Sequence, residues 1–369
     1  MKSPVQKILF GSPGTGKSRK IVDEIIPALG IGMENAIPTV FHPEYTYGDF
    51  VGKLIPVTRG EKVRYTFFPG HFLCALSKAY RKIFDVYKNP TKDKNFKNLS
   101  IEEQNILLST ARSEACQKAE NVILVIDEIN RGNSSAIFGT VFQLLDRNNN
   151  GWSSYPINVS EIEILKILEL LGVTDKALAD NKFEYKFPGE KHYEQEYTLF
   201  QDRLDCLDIS LENRRIKIPP NLSIVGTMNT SDNSIYFMDS AFKRRWEWEF
   251  IDWDESKPEP PNYQDFDEYE WKKLVKQINL FIKIHHDSVR GIEDKQVGYF
   301  FINYKNNCIT SEQIRNKLMF FLWDSVFNRD KRPLVKLLEV DRSELITFGD
   351  FTKLHNRFIE KIMAFTPKS

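Results

Sequence analysis

Apolar residues fall along this chain in two rhythms: short uninterrupted runs, and longer stretches with apolar positions three or four apart. The runs Lys7 to Phe10, Ile37 to Phe41, Val122 to Ile126 and Leu222 to Gly226 predict strands, and Trp246 to Ile251 predicts one more. In Val122-Ile-Leu-Val-Ile126 all five residues are apolar and four are β-branched, which suits a strand buried on both faces of a parallel sheet. Helical spacing puts Ile21, Ile25, Ile26 and Leu29 on one face, and predicts helices over His71 to Tyr87, Ile101 to Ala119 and Ser134 to Leu145. Asp239 to Arg245 predicts a short helix. Lys62 to Phe68 predicts half of a hairpin, and the Lys- and Asn-rich stretch Asn89 to Ser100 an exposed loop. Strands alternating with helices up to Ile251 give an α/β fold, a three-layer sandwich around a parallel sheet.

Two stretches interrupt that rhythm. Residues 148–220 are irregular, with a helical piece from Glu161 to Leu171 and an aromatic, polar segment from Phe183 to Phe200, and read as an insertion decorating the sheet. Lys257-Pro-Glu-Pro-Pro-Asn262 places three prolines in four residues, which neither a helix nor a central strand continues through. Beyond it, Tyr269 to His285, Ser311 to Phe327 and Phe351 to Phe365 predict helices. The expected organisation is a core over residues 1–256 and a mostly helical lid unit over residues 257–369.

Composition narrows the picture only slightly. The 369 residues hold 51 Lys plus Arg against 51 Asp plus Glu, so no global basic field draws the chain to nucleic acid. Cys74, Cys116, Cys206 and Cys308 lie far apart with no CxxC pair, the pattern of buried free thiols rather than a zinc site. No apolar run is long enough to span a bilayer, and a polar loop from Gly11 takes the place of a signal-peptide core, so the expected location is the cytoplasm, away from membranes.

The chemistry is concentrated in four places. Gly11-Ser12-Pro13-Gly14-Thr15-Gly16-Lys17-Ser18 matches GxxxxGK[ST] in full, between a predicted strand and a predicted helix, the context a phosphate-binding loop requires. Its backbone N–H groups would cradle phosphates, Lys17 would reach the β- and γ-phosphates, and Ser18 would offer its hydroxyl to Mg²⁺. Asp127 and Glu128 end the apolar strand, where Asp127 would hold the Mg²⁺ hydration shell and Glu128 would polarise the attacking water. The plainer reading of two acids here is a helix cap. Asn229 follows another strand; a turn residue is the plain reading, and a neutral sensor of the γ-phosphate or lytic water the functional one. Lys243-Arg244-Arg245 is either a solvated face or, lying at the depth of the arginine finger of ring-forming ATPases, a source of Arg244 or Arg245 for a neighbour's site.

These residues resemble a known family. Asp127-Glu-Ile-Asn-Arg-Gly-Asn133 is similar to the Walker B signature of McrB-type AAA+ proteins, the NTPase subunits of modification-dependent restriction systems. Met228-Asn-Thr-Ser-Asp-Asn-Ser234 is similar to that family's MNTxDRS motif. Phe41-His-Pro-Glu-Tyr-Thr-Tyr-Gly-Asp-Phe50 resembles its FHPSYxYxDF segment, and Asp239-Ser-Ala-Phe-Lys-Arg-Arg-Trp246 its DxALxRRF. Lys295-Gln-Val-Gly-Tyr-Phe-Phe301 resembles the lid motif IGHSYF less closely. The resemblance implies a homo-oligomeric ring, a hexamer, that hydrolyses GTP or ATP with Mg²⁺ and couples to a McrC-like nuclease, DNA being engaged through that complex. It makes GTP the family-based expectation, narrowly ahead of ATP, the fold-based one; the phosphate loop itself leaves the base unread.

The sequence departs from the family in two ways. Asn233 stands where the family carries arginine, and the first strand begins near Lys7, leaving no room before it for a DNA-reading domain. The segment Phe183 to Phe200 is read either as packing onto the sheet or as a partner-docking surface. Two other functions use the same motifs: a nucleotide-gated scaffold for a defence effector, and a MoxR-like remodelling chaperone.

Overall fold

The structure is a computed structural model and describes residues 3–60, 62–179, 182–229, 236–254, 268–302 and 309–367. Its strands, in chain order, are β1 (Gln6–Phe10), β2 (Ala36–Val40), β3 (Gly52–Arg59), β4 (Lys62–Pro69), β5 (Val122–Asp127) and β6 (Ile157–Asn158). They continue with β7 (Thr174–Ala177), β8 (Phe183–Lys186), β9 (Arg215–Ile216), β10 (Leu222–Met228) and β11 (Glu247–Phe250). Five of them form one sheet in the order β11-β1-β10-β5-β2. Both neighbours of β5 run parallel to it, with Leu222 opposite Val122 and Ala36 opposite Ile123. The α/β class and parallel sheet are as expected. Val122, Ile123, Leu124 and Ile126 are fully buried, so both faces of β5 are covered. Burial of each such side chain contributes about 1.5–3 kcal/mol.

The described residues divide into two compact units, one from 1–8, 21–226 and 236–247, the other from 9–20, 227–235 and 248–369. In the first, the aromatic segment after β2 supplies core rings. Phe50 lies 4.6 Å from Phe138 between ring centroids, and Phe138 lies 5.2 Å from Phe242. Thr46 starts the short helix Tyr47–Phe50 with a reciprocal capping box to Asp49, which fixes the direction in which Phe50 enters the core. The Tyr45 hydroxyl sits 2.8 Å from His71 Nδ1, and burial pushes its pKa up to about 12. The expected half-hairpin is complete: β4 pairs antiparallel with β3 along its whole length.

The second unit has its own core. The helix Glu268–Ile284 turns Trp271, Leu274, Val275, Ile278, Phe281 and Ile282 inward, against side chains that include Leu318, Phe327, Phe351 and Phe358. The proline-rich stretch 257–262 lies outside the described residues.

Several predicted helices are less regular than their periodicity suggests. Ser134 to Leu145 is an α-helix only to Phe138; Gly139 takes a left-handed φ of 49°, and a tight 3-10 turn follows to Leu145. The stretch from Ser311 widens into π turns at Ile314–Met319 and Leu322–Val326. The last helix begins earlier than expected, at Phe348 behind a Thr347–Asp350 capping box, and breaks at Leu354 before His355–Met363. Apolar spacing records which side faces the core but not how the turns are wound.

Cys116 and Cys206 are buried and Cys74 half-buried, all as free thiols, and burial pushes the Cys116 pKa up to about 11; Cys308 is outside the described residues. Among the described residues no helix is long and apolar enough to cross a membrane. In the insertion, Phe187 and Phe200 are buried against each other, with centroids 4.6 Å apart, so these two rings serve packing.

The insertion is pinned at its root by one side chain. Arg147 donates to the carbonyls of Gly151 (2.9 Å), Pro219 (3.0 Å) and Leu222 (2.8 Å), joining both ends of the irregular stretch to the start of β10. Carbonyls bonded to a guanidinium lose a charge-assisted partner when it is removed. Arg147→Met, which keeps an apolar stem, is therefore expected to cost about 2–3 kcal/mol. Thermal denaturation checks this, and an unchanged midpoint would remove the anchor role.

Candidate functional site

β1 ends at Phe10, and the helix Lys17–Lys20 starts at the end of the glycine-rich loop, as the motif requires. Gly14 and Gly16 have φ of 76° and 87°, a region that side chains with a Cβ rarely enter. Lys17 is buried, and its ammonium donates to the carbonyls of Gly11 (2.9 Å) and Ser12 (2.8 Å) and to Asn229 Oδ1 (2.9 Å). Thr15 Oγ1 donates to Ser12 O at 3.1 Å. The loop is therefore a set of defined hydrogen bonds, with Asn229, just past the end of β10, bonded directly to its lysine. Ser18 is exposed. This donor set fits a phosphate chain and a hard cation: glycine backbone at a helix start, an ammonium and a hydroxyl.

Asp127 and Glu128 belong to the other unit. Asp127 is the last rung of β5, opposite Val40, and its carbonyl accepts from Phe41 N at 3.0 Å. Glu128 then leaves the strand at a φ of 54°. A left-handed conformation in a residue with a Cβ costs on the order of 1–3 kcal/mol and persists where the surroundings impose it. Here they do: Arg131 N donates to Glu128 O at 2.9 Å, the Ser134 hydroxyl donates to Ile129 O, and Tyr236 N donates to Asn130 O at 3.0 Å. Asn133 caps the following helix through Ala136 N, so the cap falls to Asn133 and not to the acids. In the sheet order β10 lies between β1 and β5. Residues 230–234 of the predicted sensor motif, Asn233 included, lie outside the described residues.

The two arginines differ. Arg245 is committed within its own unit: it holds Asp146 Oδ2 at 2.6 Å through Nη2 and at 3.0 Å through Nε, and donates to Ala241 O at 2.9 Å. Its guanidinium also lies 3.8 Å from the Phe142 ring centroid, and its side chain is only 8% exposed. Arg244 is exposed. Both line a cavity of about 1330 Å³ in the first unit, together with Gln6, Arg112, Arg147 and Trp152. Of the two finger candidates, Arg244 is the one that solvent and a second chain can reach. Nothing in the sequence separated these neighbours, because the Asp146 partner lies 99 positions away.

The chain is 27% identical over 358 residues to the component YdiS of the type II restriction enzyme BsuMI from Bacillus subtilis strain 168, a match covering 93% of this chain and 85% of that one. It is a homologue of a restriction-system component. No family model matches. A structure of C. elegans PCH-2 aligns at 13% identity over 96% of this chain and 60% of that one, with a TM-score of 0.20, too loose to carry any argument.

The contrast between the arginines is directly measurable. Arg245→Ala breaks the Asp146 pair and is expected to cost about 1.5–3 kcal/mol. Arg244→Ala is expected to stay within about 0.5 kcal/mol of the parent. Urea denaturation of the two variants side by side checks the ranking, and equal losses would contradict it.

Proposed function

We propose that this chain is a Mg²⁺-dependent nucleoside triphosphatase of the AAA+ type, working as the motor of a restriction or antiphage assembly. The observation that carries this reading is the 2.9 Å hydrogen bond from Lys17 Nζ to Asn229 Oδ1, which joins the lysine of a full phosphate-loop motif to the amide beyond β10. The homology to a restriction-enzyme component supports the biological setting.

The roles follow from the chemistry of each group. Lys17 and the loop backbone would bind the β- and γ-phosphates, while Ser18 and Asp127 would hold Mg²⁺. When bound, Mg²⁺ neutralises charge on the phosphate oxygens. Glu128 polarises the lytic water, and Asn229 orients it or the γ-phosphate without adding negative charge there. Arg244, exposed on its own subunit, serves a neighbour's site, which requires a homo-oligomeric ring, by resemblance a hexamer. The same resemblance makes the partner a McrC-like nuclease that contacts DNA, and favours GTP over ATP.

Hydrolysis measured with GTP and ATP in parallel, on protein purified with its native partners, tests the reading. Glu128→Gln is expected to keep nucleotide binding and to lose turnover by roughly 10²–10⁴-fold. Wild-type turnover by that variant, where the ring forms, would end the assignment. Arg244→Ala and Lys17→Ala subunits should each be inactive alone and regain part of the activity when mixed. With mixing confirmed, no recovery at any ratio would rule out a finger acting in trans.

A further inference from the structure

The phosphate loop is gripped from outside by a short segment far along the chain. Gly298 N donates to Pro13 O at 3.0 Å and Phe300 N donates to Gly14 O at 2.9 Å. The Ser12 hydroxyl donates to Glu293 O. The described residues contain no cis peptide, and a planar trans peptide holds its C=O and N–H antiparallel. Turning the Pro13 and Gly14 carbonyls toward residues 298–300 therefore turns the N–H groups of Gly14 and Thr15 the opposite way. The segment thus fixes the orientation of donors that a phosphate-binding loop depends on.

Alternate residues of the same segment are fixed to the helical core. Val297 N donates to Asn279 Oδ1 at 2.7 Å, and Asn279 Nδ2 returns a bond to Val297 O at 2.9 Å, with both residues buried. Trp271 Nε1 donates to Tyr299 O at 3.1 Å. Asn279 and Trp271 both lie on the helix Glu268–Ile284. Residues 297 and 299 thus face that helix, while 298 and 300 face the loop. The fit leaves no slack: a Cβ on Gly298 would lie 2.2 Å from Gly14 O and 2.5 Å from Thr15 N. Phe300 adds a second contact, its ring reaching within 3.0 Å of where a Cβ on Gly16 would stand.

We propose that residues 297–301 form a positioning strap through which the helix Glu268–Ile284 sets the geometry of the phosphate loop, and so the affinity for the nucleotide. This rests on the reading of Gly11 to Ser18 as the nucleotide site. The strap bonds loop carbonyls, so on this reading its loss acts on binding rather than on the chemical step. Tyr299, whose hydroxyl also donates to Asp254 Oδ1 at 2.8 Å, is held at both its backbone and its side chain, which keeps the strap stiff.

The test compares the wild-type full chain with Gly298→Ala, and with Trp271→Phe, which removes the indole N–H and keeps a smaller aromatic ring. Calorimetric titration with a non-hydrolysable GTP or ATP analogue and Mg²⁺ gives Kd, and steady-state hydrolysis gives KM and kcat. Gly298→Ala is expected to weaken binding by roughly 10²-fold, the scale of losing the strap's two backbone hydrogen bonds to the loop. Trp271→Phe should weaken it by about tenfold, and both should raise KM while kcat at saturation stays near wild type. In wild type, nucleotide should also slow amide exchange at Gly298 and Phe300 and along the helix Glu268–Ile284. Wild-type affinity in both variants overturns the strap and leaves the nucleotide site standing. A fall in kcat and thermal midpoint with unchanged KM marks a merely structural role and also overturns it. A wild-type chain that binds neither nucleotide overturns both readings together, before any variant is made. Should Gly298→Ala fail to fold, Trp271→Phe decides alone.

Discussion

A loop that binds phosphate must face the anion with N–H groups and keep its carbonyl oxygens away from it. In a planar trans chain the two requirements are one, because each carbonyl turned outward needs somewhere to go. This molecule engages four successive carbonyls: Gly11 and Ser12 bond the Lys17 ammonium, and Pro13 and Gly14 bond the backbone of residues 298 and 300. The loop's shape is therefore set partly by its own lysine and partly by the helical core at the other end of the sequence.

The parts of this arrangement that a sequence discloses are those governed by local rules. The run Val122–Asp127 is a buried strand because five apolar residues in a row have no polar face to offer water, and the loop is recognisable because its glycines and lysine stand at fixed spacing. The strap was legible only as an imperfect lid motif. Val297 to Phe301 has no helical or strand period, and what it does is done by backbone N–H groups that any residue carries. Its one signal is Gly298, whose missing side chain answers to a contact with Gly14. In the same way, aromatic residues between Phe183 and Phe200 look alike in sequence. In the structure Phe187 and Phe200 are buried, whereas Phe183 is exposed.

Arg244 and Arg245 show how a long-range partner divides two identical neighbours. Arg245 bonds Asp146, stacks on Phe142 and holds the carbonyl of Ala241, one turn back in the helix Ser240–Lys243. Those contacts fix the end of that helix, and the next residue back is Arg244. A guanidinium that acts on another subunit gains from a rigid mount, since less of its freedom remains to be lost on docking. On the proposed reading of Arg244, Arg245 is its support, and a phenotype of Arg245 variants has to be separated from stability before it is ascribed to chemistry.

The turn after β5 makes a similar point about Glu128. Glycine would adopt a φ of 54° with no Cβ strain, and asparagine with little. Glutamate there costs on the order of 1–3 kcal/mol that the backbone itself does not require. The bonds that impose the turn come from Arg131, Ser134 and Tyr236, and none of them uses the Glu128 side chain. What the position offers beyond a cheaper residue is an acid mounted on a stiff, strained turn at the carboxyl end of a buried strand, which is the mounting that the proposed role of Glu128 calls for.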